Sequence, residues 1–147
     1  PEIQLHMIGK LQTNKVKFAV KLFDYIHSVD TEKLAKKIAD EQNKINKNIK
    51  IFLQVNIGDE NQKSGINKND LKQLVSYCKE INLDLIGLMC IPPANTNPDV
   101  YFDEMKDLNK ALGLGELSMG MSSDFLIAAK YQSTFIRVGS SIFGQRS

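Results

Sequence analysis

Two short stretches near the end of the chain carry the residue types of an anion site. Residues 119–124 read M-G-M-S-S-D and residues 137–144 read R-V-G-S-S-I-F-G. Each sets glycine and hydroxyl side chains where an apolar strand hands over to a helix. Gly120 and Gly139 let a backbone approach a ligand closely, Ser122, Ser123 and Ser140 supply hydroxyls, and the free amides of a helix start attract negative charge. Arg137 stands two positions before Gly139, so strand alternation aims it into the same mouth. The chemistry this suggests is a phosphate held by amides and hydroxyls with a guanidinium beside it. Taken singly, either serine of residues 122–123 is also an ordinary helix cap, and Arg137 an ordinary ion-pair partner. The two loops together are what point to a cup.

Two further stretches are polar where strands should end. Residues 53–65, L-Q-V-N-I-G-D-E-N-Q-K-S-G, put Asn56 at a strand end and Lys63 in the loop that follows. Residues 6–15, H-M-I-G-K-L-Q-T-N-K, put His6, Gln12 and Asn14 at a strand end and helix start. A loop lysine is most often solvated, and single histidines such as His6 and His27 are most often hydrogen-bonded fold residues. No two histidines, and neither Cys78 nor Cys90, have the spacing of a metal site.

The elements that must hold these residues alternate. Strands are predicted over residues 3–9, 25–29, 49–57, 83–91, 116–121 and 134–139, and helices over 11–22, 31–44, 71–81, 99–112 and 123–130. Asp30 is expected to cap the second helix, and Asn69 or Asp70 the third. The run L-D-L-I-G-L-M-C-I reads as a strand buried on both faces, closed by Pro92 and Pro93. Strand–helix alternation at this spacing implies parallel strands with helical crossovers in one α/β domain, residues 1–147. A doubly wound sheet would place a glycine-rich loop after its first strand, and the first strand here runs into H-M-I-G-K-L-Q. The small-residue loops follow the last two strands instead, where (β/α)8 barrels often hold phosphate. The expectation is therefore a TIM-type barrel represented by about six βα units, with the first two units lying before Pro1.

Composition narrows the partners. The 147 residues carry a formal net charge of +2, with charges spread along the chain, which gives no electrostatic case for nucleic acid or an anionic membrane. No apolar run reaches membrane-spanning length, and the sparse cysteines suit a reducing, cytoplasmic compartment.

In order, H-M-I-G-K-L-Q-T-N-K, S-V-D, V-N-I-G-D-E-N-Q-K-S-G, G-L-M-C-I-P-P, L-S-M-G-M-S-S-D and S-T-F-I-R-V-G-S-S-I-F-G-Q-R resemble the pyridoxal phosphate homeostasis protein family. That family is similar to the barrel domain of alanine racemase, a fold-type III pyridoxal phosphate protein. The resemblance implies that the cofactor is pyridoxal 5'-phosphate. It implies that Ser122, Gly139 and Ser140 hold its phosphate, that Arg137 faces its pyridine nitrogen and keeps that nitrogen unprotonated, and that Asn56, His6 and Met121 complete the cofactor set. It implies intracellular cofactor homeostasis without robust turnover. A racemase-like enzyme acting on amino acids and a barrel for another phosphorylated small molecule are the alternatives.

Two departures weigh against a racemase. Ile91 stands where racemases carry a histidine stacked on the cofactor, and the chain stops at Ser147 with no β-rich second domain. The lysine that anchors the cofactor covalently in the family is expected upstream of Pro1, and Lys10 belongs to the G-K-L-Q motif rather than to that role. An exposed first strand edge and an open interior lead to a further expectation of self-association.

Overall fold

A computed structural model describes residues 3–61, 64–121, 123–131 and 133–137. Five strands form one sheet: β1 (His6–Met7), β2 (Tyr25–Val29), β3 (Lys50–Gln54), β4 (Asp84–Met89) and β5 (Glu116–Ser118). Between and after them run α1 (Val16–Leu22), preceded by a 3-10 turn at Thr13–Lys15, then α2 (Glu32–Lys44), α3 (Lys68–Glu80), α4 (Pro98–Ala111) and α5 (Phe125–Lys130). The strands lie in strict sequential order and every pairing is parallel. That order separates the two architectures. A doubly wound sheet reverses direction at a switch point, whereas a barrel adds each strand beside the last. Residues 133–137 continue the series, with Phe135 bridging Ser118 in parallel.

The sheet is buried on both faces. Its outer face packs under the helices through Ile26, Val29, Ile51, Leu53, Leu88 and Leu117, which meet Leu34, Ile38, Leu71, Leu74 and Phe102. Each fully buried side chain of this size contributes roughly 2 kcal/mol of transfer free energy. The inner face is smaller and aromatic: Tyr25, Phe52 and Met89, with Ile86 and Phe135 against them. Alternation along β3 and β4 divides the residues between the two layers, so continuous apolar runs are what these strands require.

Helix ends follow local chemistry. Lys47 Nζ donates to the carbonyls of Val20 and Phe23 at 2.8 and 2.9 Å, setting a cation on the negative end of α1. Asn46, Asn82 and Gly113, just past α2, α3 and α4, all take the left-handed conformation that stops a helix.

Several boundaries differ from the expected ones. Only His6 and Met7 of the predicted first strand pair with a neighbour. The predicted helix over 11–22 begins as a 3-10 turn. Thr31, not Asp30, caps α2, its hydroxyl accepting from the Leu34 amide at 3.1 Å. Asp30 instead accepts from the Gly65 amide at 3.0 Å, tying the loop after β3 to the end of β2. Asn67, two residues before the expected position, caps α3 by accepting from the Asn69 amide. In each case the backbone turns into the helix at an extended residue that sequence types alone leave ambiguous.

Candidate functional site

The inner face carries a line of polar groups through its aromatic lining. His6 on β1 lies flat against Tyr25, with ring centroids 4.0 Å apart and planes within 7°. Its Nδ1 is 2.9 Å from Nε2 of His27 on β2. His27 stacks on Phe52 of β3 at 4.3 Å and meets the edge of Phe135. The other ring nitrogen of His27, Nδ1, is 2.7 Å from Oγ of Ser118 on β5. Arg137 completes the line: Nη1 donates to the same Oγ at 2.7 Å, and Nη2 donates to the Cys90 carbonyl at 2.9 Å.

This line measures the curl of the sheet. Strands β2 and β5 are separated by β3 and β4, and in a flat sheet they would stand roughly 14 Å apart at ordinary strand spacing. Hydrogen-bond contact between His27 and Ser118 requires the sheet to roll toward closure, as a barrel wall does.

Burial sets the electrostatics. Desolvation, helped by the charges of His6 and Arg137, pulls the His27 pKa down to about 3, so this ring is neutral at physiological pH. Desolvation also lowers His6, against the pull of Asp24, which accepts from the Leu5 amide. Arg137 is lowered by burial and raised by Cys90 and Asp124, and a guanidinium keeps its proton under such shifts. The interior therefore sets the Arg137 guanidinium toward a neutral His27, while Lys50 Nζ stands 5.4 Å from the centre of the Tyr25 ring. The Nε of Arg137 is buried and has no hydrogen-bond partner among the described residues. A buried donor left over on a cation calls for an acceptor beyond the described residues.

The backbone under Arg137 is fixed by β5. Its amide donates to the Gly120 carbonyl at 2.8 Å, and Gly120 sits at φ +103°, with Ala128 2.7 Å from where a Cβ would be. Ser133 and Thr134 stitch the same segment down: Ser133 Oγ donates to the Met119 carbonyl at 2.6 Å, and Thr134 Oγ1 accepts from the Leu117 amide at 2.8 Å.

Of the residues proposed from the sequence, His6 and Arg137 are brought into one network. Met121 is 42% exposed, and its amide donates to Asp124. Asn56 spends its side-chain amide on the loop, donating to the Glu60 carbonyl and accepting from the Glu60 amide. Ser122, Gly139, Ser140 and Lys63 lie outside the described residues. Ser118 and the partnership of His27 were missed. Their signal was polar residues inside otherwise apolar strands, as in Y-I-H-S-V and E-L-S-M. Among the described residues no cluster of His, Cys, Asp and Glu could hold a metal ion.

Comparison with known proteins places this geometry. The family model for the N-terminal domain of alanine racemase matches residues 2–147. The pyridoxal phosphate homeostasis protein of Aquifex aeolicus is 38% identical, across 99% of this chain and 68% of the relative. Its namesake in Schizosaccharomyces pombe is also 38% identical, across 99% of this chain and 66% of the relative. The solved structure of PipY from Synechococcus elongatus with PLP bound matches with a TM-score of 0.90 at 33% identity, covering 98% of this chain and 72% of that one. The chain thus spans about two thirds of the length of the curated relatives it matches.

Proposed function

The chain belongs to the alanine racemase N-terminal domain family, within its pyridoxal phosphate homeostasis proteins, and on that premise we propose that it binds pyridoxal 5'-phosphate and serves intracellular homeostasis of that cofactor without robust turnover. The observation that carries the proposal is the buried Nε of Arg137, which has no hydrogen-bond partner among the described residues. A pyridine nitrogen is the acceptor such a donor lacks, and the aromatic inner face gives a planar ring an apolar wall. At the ring end, then, the residues fit the group.

When bound, the cofactor supplies an aldehyde and an electron-accepting ring. The chain's own residues bind and orient it. Arg137 would donate to the ring nitrogen and, as a fixed cation, would oppose protonation there, which would weaken the ring as an electron sink. Tyr25, Phe52 and Phe135 line the apolar wall beside it. Ser122, Gly139 and Ser140 are the proposed phosphate contacts, with His6, Asn56 and Met121 around the ring and its approach.

The reading extends to compartment and association. Among the described residues no helix is long and apolar enough to cross a membrane, and both cysteines are buried thiols, which suits the cytoplasm. Self-association is supported by β1, which pairs on one side only among the described strands, and by exposed Ile3, Leu5 and Ile8 beside it. Spectrophotometric titration with pyridoxal 5'-phosphate tests the function. Saturable binding is expected, lost in Ser140→Glu and weakened in Arg137→Met. Equal binding by both variants would place the cofactor elsewhere.

A further inference from the structure

The polar line across the interior has a direction, which follows from counting protons. A guanidinium only donates, so Ser118 Oγ accepts from Arg137 Nη1. A hydroxyl that accepts still has its own proton to place. Among the described residues, the remaining partner of Ser118 Oγ is Nδ1 of His27, at 2.7 Å. If Nδ1 carried a proton, two hydrogens would face each other or the serine proton would be stranded in a buried site, at the cost of an unmade hydrogen bond. Nδ1 of His27 is therefore the acceptor, and the single proton of the neutral ring sits on Nε2. That proton points at Nδ1 of His6, 2.9 Å away, which accepts in turn. Every bond runs one way, from Arg137 through Ser118 and His27 to His6.

Stacking removes the freedom that would scramble this order. Phe52 and Phe135 hold the His27 ring from face and edge, and Tyr25 holds His6 flat. Arg137 is meanwhile tied at Nη2 to the Cys90 carbonyl just past β4, one strand beyond its β5 neighbour. With one N–H of each terminal nitrogen engaged, rotation about the last bonds of the side chain is restrained, and Nε is the guanidinium nitrogen left without a partner among the described residues.

We infer that Ser118 and His27 are positioning residues for Arg137, holding the guanidinium through a one-way file of hydrogen bonds so that its Nε–H is offered to a bound ring nitrogen. The last clause rests on the cofactor reading above; the direction of the file does not.

The test separates the two. Ring-15N NMR of the ligand-free full chain reads histidine tautomers directly. The expected result is a neutral His27 protonated at Nε2 with a bare Nδ1. A His27 protonated at Nδ1 overturns the inference whether or not any cofactor binds. Ser118→Ala should release His27 into a mixture of tautomers and weaken pyridoxal 5'-phosphate about tenfold. The absorbance of the bound cofactor should also become pH-dependent where the wild type is flat. Ser118→Thr, which keeps the hydroxyl, should restore both. Unchanged tautomer, affinity and spectrum in a folded Ser118→Ala protein overturn the inference, as does a defect of equal size in Ser118→Thr. A wild-type chain that takes up no pyridoxal 5'-phosphate sinks the proposed function, and the tautomer measurement still decides the file.

Discussion

His27 and Arg137 share one hydroxyl: Oγ of Ser118 stands 2.7 Å from Nδ1 of the imidazole and 2.7 Å from Nη1 of the guanidinium. The ring cannot take a proton without setting two cations on either side of that oxygen. The groups that face His27 are His6 and Arg137, with Phe52 and Phe135 covering the ring.

A pH dependence of stability follows. The folded His27 titrates near 3, against 6.5 for the unfolded ring. Between those values the unfolded chain binds more protons, so stability is fully present above about pH 6.5 and falls as pH drops toward 3. The steepest slope from one such group is about 1.4 kcal/mol per pH unit. Urea unfolding at a series of pH values checks this. In His27→Phe, which leaves a ring without a titrating nitrogen, the dependence through this window should flatten.

Gly120→Ala tests how Arg137 is seated. The position combines φ +103° with an Ala128 methyl 2.7 Å from the new Cβ. The substitution should destabilise the chain by at least about 2 kcal/mol. It should also shift the carbonyl that receives the Arg137 amide, and so weaken pyridoxal 5'-phosphate more than Ala128→Gly does.

The exchange of roles between Asp30 and Thr31 is testable by a pair of variants. Thr31→Ala removes the cap of α2 and should cost about 1 kcal/mol, with faster amide exchange in the first turn. Asp30→Ala should leave α2 intact and speed exchange at the Gly65 amide, because its carboxylate serves the loop after β3. Hydrogen exchange followed by NMR distinguishes the two patterns.

The cysteines should be silent toward thiol reagents. Burial pushes Cys78 up to about 11 and Cys90 up to about 12, so almost no thiolate exists at neutral pH. Labelling with a chromogenic disulfide is expected only after denaturant unfolds the chain. Rapid native labelling of Cys90 would mean that the β4 end, and the carbonyl that holds Arg137, opens readily.

Much of this was legible in the residues. Strand-helix alternation, the apolar run of β4 and the placement of the serine loops after the last strands carry the winding. They do so because a barrel wall needs apolar residues on both faces and keeps its chemistry at strand ends. The strand Tyr25–Val29 matches its predicted bounds because its neighbours, Asp24 and Asp30, both break the pattern. The network was not legible. His6, His27, Ser118 and Arg137 come from four segments, and only the curl of the sheet brings them together. Helix caps were missed by a residue or two because Asp, Thr and Asn all suit that place, and the tertiary partner, Gly65 for Asp30, decides which one is free.

The span of the interior network has a consequence in time. Ser118 follows His27 by 91 residues, and Arg137 comes later still. On the ribosome, β1 and β2 emerge with their two imidazoles long before the hydroxyl and guanidinium that order them exist. The two imidazoles therefore do not have both partners until the chain has been made through residue 137, which makes the network a late, long-range contact in folding.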